Sequence, residues 1–286
     1  MLLSEQFYQT EKTGYLNEQF RLFHLKDQTR KEFSYHYHDF HKVVIFISGK
    51  AAYHIEGKAY QLKPWDILLV NRHAIHRPEI DPSGPYERFI LWIQNDIPWQ
   101  ELLKCFQKAN DRSYNLVRLN SALQEKMKDI LFELENSAKS DEYGREILTQ
   151  SLFLQFMVYL NRIFLEKQYI FDKRSYTFDS QIASILQYIN HNLKEDLSVE
   201  TLSARYYVSK YHLMRKFKQE TGYTLHNYIV NKRLLMARTL ISNGMPVTKA
   251  AQESGFAEYS TFSRAYRKQF KTNPSEELPH YSNPLK

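Results

Sequence analysis

The chain has 286 residues, 43% hydrophobic and 25% charged, with 21 Tyr and 18 Phe, which suits two or three folding units with sizeable cores. No apolar run reaches the ~18 residues of a membrane span, the start Met-Leu-Leu-Ser-Glu-Gln lacks a secretory pattern, and the lone Cys105 excludes a disulfide framework. A cytoplasmic protein with no membrane partner is the expectation. The net charge of +7 is unevenly placed: residues 1–179 carry 24 Lys+Arg against 24 Asp+Glu, and residues 180–286 carry 15 against 8. A neutral body with a basic end points to a polyanion partner for that end.

Residues 1–97 read as strands. Short β-branched or aromatic runs at 43–47, 52–55, 66–70 and 89–93 are separated by turn residues at Ser48-Gly49, Glu56-Gly57, Lys63-Pro64 and 82–85. Many short strands at near-regular spacing favour a barrel or sandwich. The same zone holds His36, His38 and His76, and a His-x-His pair in a strand puts both imidazoles on one face. This arrangement resembles a cupin barrel, whose enzymes often bind a metal with His-x-His, a Glu four residues later and a distant His. Lys42 stands at that Glu position, and a cation there argues against a metal. No metal or other cofactor is therefore expected. His36, His38, Trp65, His76 and Trp92 are instead the candidate effector-binding residues, because imidazoles and indoles suit a hydroxylated ligand.

Residues 98–172 read as helical, a segment for dimerisation or linkage. Leu148, Leu152, Phe156, Tyr159 or Leu160, and Ile163 follow spacings of four and three and make one apolar face. That face pairs two protomers into a homodimer or packs on its own barrel. Periodicity is lost at 170–177, which reads as a linker.

Residues 173–286 contain an internal repeat. Leu213, Arg215, Phe217 and Lys218 answer Phe262, Arg264, Tyr266 and Arg267 at a spacing of 49, while Val199, Leu202 and Ser203 answer Val247, Ala250 and Ala251 at 48. The one-residue slip falls in a turn, so each copy reads as helix, turn, helix. Ser198 is suited to cap the first helix and Gly222 to end the second. One helix from Leu225 to Ser242 separates the copies as a rigid spacer, with Ile229, Met236, Leu240 and Ile241 as its buried face. Two reading helices on one face of B-DNA need a separation of about one turn, ~34 Å.

The segment 250–264, Ala-Ala-Gln-Glu-Ser-Gly-Phe-Ala-Glu-Tyr-Ser-Thr-Phe-Ser-Arg, is similar to a motif of AraC/XylS-type regulators, and the resemblance covers about 100 residues. By position it implies DNA-facing roles for Tyr211, Met214 and Arg215 in the first unit and Tyr259, Ser260, Ser263 and Arg264 in the second. Lys210 and Lys218 extend the basic face. Leu225 and Lys271 depart from the family's usual Pro and Gly. The expected fold is multidomain α+β: a cupin-like barrel, middle helices, and an all-α domain with two tandem helix-turn-helix units. The expected function is a DNA-binding transcription regulator, an activator that contacts RNA polymerase. Its small-molecule effector, a carbohydrate by the pocket chemistry, binds in the barrel. No catalytic constellation stands out, so no enzyme is expected. The alternatives are a metal-dependent cupin enzyme with a basic appendage, and a nonspecific nucleic-acid packaging protein.

Overall fold

Alternating side chains organise the first half of the chain in the computed structural model, which describes residues 16–27 and 33–277. Among the described residues are nine strands, eight of them in that half: β1 (Phe20–Asp27), β2 (His41–Ser48), β3 (Ala51–Ile55), β4 (Lys58–Gln61), β5 (Ile67–Val70), β6 (His76–Ile80), β7 (Tyr86–Ile93) and β8 (Leu116–Val117), with β9 (Tyr176–Phe178) farther along the chain. They make two sheets, β1-β7-β2-β5-β8 and β6-β3-β4-β9, antiparallel throughout. The β3–β4 hairpin closes through Glu56 and Gly57 at φ 46° and 76°, the left-handed pair that matches strand twist. Pro78 sits in β6, at one edge of its sheet, where a missing N–H is tolerated.

Strand parity divides the apolar residues into two cores. One face of the five-stranded sheet, with Val43, Ile45, Ile67, Leu69, Phe89 and Leu91, packs on three helices through Phe106, Leu131, Leu134, Phe153, Phe156 and Phe164. These are α1 (Lys104–Arg112), α2 (Ser121–Lys139) and α3 (Arg145–Leu165). The opposite face, with Val44, Leu68 and Val70, meets Tyr53, Ile55 and Tyr60 of the four-stranded sheet. A buried ion pair ties strand ends together: Arg118 Nη2 lies 2.6 Å from Asp66 Oδ2 and Arg118 Nε donates to Asp66 Oδ1 at 2.8 Å.

One open question is answered here and one expectation changes. Of the two readings of the middle helices, packing on their own sheet is the one seen for most of the apolar face: Leu152, Phe156, Leu160 and Ile163 are buried in a core shared with it. Of that face only Leu148 remains exposed. Residues 170–177, expected as a linker, contain a 3-10 turn (Lys173–Ser175) and most of β9, which pairs with β4 in the register Ala59↔Thr177 and Tyr60↔Tyr176. The first compact unit accordingly runs to Phe178, and the second begins at Asp179.

In the second unit four of the six helices carry their own start signal. Its helices are α4 (Ser180–His191), α5 (Val199–Arg205), α6 (Lys210–Thr221), α7 (Leu225–Ser242), α8 (Val247–Glu253) and α9 (Tyr259–Phe270), then a 3-10 turn (Pro274–Glu277). The side chains of Asp179, Ser198, Ser209 and Thr224 accept bonds from the first-turn amides of α4, α5, α6 and α7, satisfying donors that a helix start leaves open, while α8 and α9 begin without a side-chain cap. Leu225 opens α7, a position that Pro also suits. Ile229 and Ile241 are buried in α7, while Met236 and Leu240 are only half-buried. α5 and α8 start 48 residues apart and α6 and α9 start 49 apart, so the slip in the repeat lies within the turns.

Candidate nucleic-acid interface and sensor interior

The second helix of each repeat turns an apolar edge inward and a polar one outward. In α6, Leu213 and Phe217 are buried, while Tyr211 is 73% and Met214 45% exposed, and Arg215 and Lys218 are exposed beside them. In α9, Phe262 and Tyr266 are buried, while Tyr259, Ser260 and Arg264 are exposed and Ser263 is half-buried. Arg264 Nε donates to the Ser260 carbonyl at 3.3 Å. Lys210 Nζ lies 2.5 Å from Glu200 Oε1, so part of its charge is answered within the unit. Lys216 is drawn to Asp179 at 2.5 Å and belongs to the fold more than to the outer face. Tyr207, 97% exposed in the first turn, was not singled out from the sequence. Exposed Tyr207, Tyr211, Met214 and Tyr259 put apolar area on the same elements as the cations, and apolar area left in water marks contact surfaces.

In the first unit, β2 sends Lys42, Val44 and Phe46 toward the four-stranded sheet, since Val44 lies in the inter-sheet core and alternate residues share a face. Lys42 pairs with Trp92 and Phe46 with Arg88 across β2–β7; Tyr53 pairs with Pro78 and Ile55 with His76 across β3–β6. His36 joins them through an isolated bridge, with each backbone N–H of His36 and His76 donating to the other's carbonyl at 3.0 Å. The rings of His36, His38 and His76 lie 4.4 to 5.1 Å apart. Trp92 packs on Phe40 at 4.5 Å and lies 5.9 Å from His38. Arg88, also buried, is answered by Asp27 at 2.6 Å.

Burial sets the protonation of this interior. It lowers His36 to about 4, helped by the Lys42 ammonium, and takes His76 well below its usual value. Burial and then Arg88 bring Lys42 down to about 7. His36 Nδ1 is 2.8 Å from the Ser34 carbonyl and His76 Nδ1 is 2.8 Å from the Ala74 carbonyl. A carbonyl only accepts, so Nδ1 carries the proton in each, and neutral His36 and His76 present Nε2 as a lone pair. His76 Nε2, Trp92 Nε1 and the Tyr53 hydroxyl are buried with no hydrogen-bond partner among the described residues.

Four of the five residues read as effector-binding thus come together. Trp65 does not: it stands at φ 70° before β5 and packs on the helix-side core, beside Phe132 and under Lys128. Lys42, Tyr53, Arg88 and Phe40 were missed as interior residues; alternation along β2 and β3 was the signal for the first two. Cys105 is buried, and its thiol is pushed up to about 12 by that burial, which leaves it inert.

A basic helical unit with two exposed reading helices and a β-rich unit with a polar interior define a ligand-responsive DNA-binding regulator. The family description "AraC-like ligand binding domain" matches residues 22–157 and "Helix-turn-helix domain" matches residues 202–278. The chain belongs to the AraC family of transcription regulators. It is similar to the HTH-type transcriptional activator RhaS of Klebsiella pneumoniae (strain 342), 23% identical over 255 residues, covering 85% of this chain and 87% of that protein. It is also similar to the HTH-type transcriptional activator RhaR of Mannheimia succiniciproducens, 22% identical, covering 85% and 86%. Among solved structures, ToxT from Vibrio cholerae O395 matches with 17% identity over 90% of this chain and 96% of its own, at a TM-score of 0.37. Among the described residues, no helix is long and apolar enough to cross a membrane.

Proposed function

We propose that this regulator activates transcription in response to a hydroxylated small molecule, a carbohydrate by class, held between the two sheets of the first unit. The observation that carries the reading is the convergence of His36, His38, His76 and Trp92. His76 Nε2 and Trp92 Nε1 are buried there without hydrogen-bond partners among the described residues. A polyol supplies both a donor for the imidazole lone pair and an acceptor for the indole N–H, which removes the cost of leaving buried polar atoms unmade. The names of the relatives, HTH-type transcriptional activators, support activation over repression.

The outer faces of α6 and α9 contact the duplex, with Arg215 and Arg264 reaching bases or phosphates and Lys210, Tyr211, Met214, Lys218, Tyr259, Ser260 and Ser263 around them. The chain acts in the cytoplasm as a homodimer, touches RNA polymerase at the promoter, and catalyses no reaction. Its pairing surface includes Ile147, Val158 and Leu165, which α3 leaves exposed at spacings that share one helix face.

The test is fluorescence anisotropy of the full chain on duplexes from its own upstream region and on scrambled controls, with and without a panel of sugars. Specific binding about 10³-fold above background, changed at least several-fold by one sugar, is the expected result. Equal affinity for every duplex would overturn the reading in favour of a packaging protein.

A further inference from the structure

We propose that the effector is a sugar acid, whose carboxylate is seated between the sheets on Lys42 and the Tyr53 hydroxyl. Lys42 extends into that space from β2, the central strand of the five-stranded sheet, opposite Trp92 of β7. It is 7% exposed, and its Nζ lies 5.8 Å from the centre of the Tyr53 ring. Among the described residues the Lys42 ammonium has no hydrogen bond and no ion pair. The second cation of this interior differs. Arg88 is also buried, but it reaches Asp27 at 2.6 Å and donates to the Tyr86 carbonyl at 3.1 Å. The charge of Arg88 is answered within the protein, and that of Lys42 is not. A buried ammonium without a counter-charge is costly, and burial followed by Arg88 brings Lys42 down to about 7. An anion arriving beside it removes that penalty.

The hydrogen-bonding groups agree with the charge. Trp92 Nε1, the Tyr53 hydroxyl and His76 Nε2 are buried in this interior without hydrogen-bond partners among the described residues. The indole can only donate, the phenol has a proton to donate, and His76 Nε2 accepts. With the N–H groups of Lys42 added, donors outnumber acceptors. A neutral polyol brings donors and acceptors together in each hydroxyl and leaves that surplus, whereas a carboxylate brings two oxygens that only accept. His76 Nε2 and Trp92 Nε1 remain for the hydroxyl groups, so the carboxylate does not draw on them. One negative charge also matches one unanswered ammonium. A phosphate monoester carries about −1.5 to −2 at pH 7, and its excess would be buried unpaired.

The carboxylate seat rests on the sensor reading for the place of binding, and it has its own test. The full chain is titrated by calorimetry with glucose, galactose and mannose, each alongside its uronate, its aldonate and its 6-phosphate, and with cyclohexanecarboxylate. The expected result is that one of the acids binds at least about tenfold tighter than its neutral parent. That preference is lost in Lys42→Met and reduced several-fold in Tyr53→Phe. Lys42→Met also unfolds at a higher temperature than the ligand-free wild type, because an apolar side chain replaces an unpaired buried charge; this readout needs no ligand and shows that the variant folds. A lower unfolding temperature would mean that Lys42 is already paired, and would overturn the proposal. So would neutral sugars binding as tightly as their acids, no binding of any acid, an acid preference that survives Lys42→Met, or a 6-phosphate bound in place of the acids. Each of those leaves the sugar reading to be judged on the neutral sugars alone. Cyclohexanecarboxylate bound as tightly as the sugar acids, and released by Lys42→Met, would keep the carboxylate seat and refute the sugar.

Discussion

Tyr207 and Gly255 occupy the same step of the two helix-turn-helix units, 48 residues apart, and both hold the backbone at positive φ, 51° and 89°. Their surroundings differ. Tyr207 projects into solvent, whereas a Cβ on Gly255 would lie 2.2 Å from the Leu193 carbonyl oxygen and 2.8 Å from Arg233 Nε. Arg233 itself donates to the carbonyls of Leu193 at 2.8 Å and Glu195 at 2.7 Å, so the neighbour is anchored. Gly255→Ala is expected to destabilise the second unit by about 3 kcal/mol or more, from clash and φ strain together. Tyr207→Gly is expected to change stability by less than about 1 kcal/mol, because relief of φ strain offsets the added chain entropy. Urea unfolding of both variants checks the contrast.

Lys271 ends α9 in the left-handed conformation at φ 61°, where Gly222 ends α6 at φ 77°. A lysine Cβ in that conformation costs about 1 kcal/mol that glycine does not pay. Lys271→Gly is expected to raise the unfolding free energy by roughly that amount, read from the midpoint of a denaturant titration at constant slope.

Arg215 and Arg264 are exposed on the outer faces of α6 and α9, and Arg215 has no ion-pair partner among the described residues. Replacing either by Ala is expected to weaken binding to the cognate promoter by about 1–3 kcal/mol if it pairs with guanine. If it contacts phosphate, the slope of log affinity against log salt falls by about one. Lys210→Ala is expected to cost less, since Glu200 already answers part of that charge. Anisotropy at several salt concentrations separates these outcomes, and unchanged binding by both arginine variants would remove α6 and α9 from the interface.

His41 is buried on the helix side of β2, against Phe106. Its Nε2 lies 3.3 Å from Asn95 Oδ1, and its Nδ1 accepts the Arg72 N–H at 3.2 Å. Burial holds its pKa at about 4, against an ordinary 6.5, with Arg72 adding to the depression and the Asn95 bond opposing it. As pH falls below about 6.5 the unfolded chain takes up a proton that folded His41 refuses until about 4. Stability therefore drops through that window, by up to about 1.4 kcal/mol per pH unit. His41→Gln is expected to flatten the decline between pH 6.5 and 4.5, measured by thermal unfolding of both proteins across that range.

The helical unit was largely legible in the sequence because its signals are local. Ser198, Ser209 and Gly222 mark helix ends by their own chemistry, and the 48/49 spacing needed only comparison of the chain with itself. The sheets were less legible, because strand register depends on residues far away in sequence. β1 mixes charges into its alternation, β6 carries Pro78, and β9 has three residues, too few to show a period. The same gap explains the sensor interior. His36, His38, His76 and Trp92 stood out by residue type, but Lys42 and Tyr53 emerge only once β2 and β3 have a face. Trp65 fell outside the group because the chain turns at that residue.

The pairing of β9 with β4 has a mechanical consequence. Sheet hydrogen bonding continues to Phe178, and helix capping starts at Asp179, whose carboxylate receives the amides of Gln181 and Ile182. Sheet pairing therefore ends at the residue before helix capping begins. Peeling β9 from that sheet edge would release about 10 Å of chain, three extended residues, so the edge strand is a store of chain length.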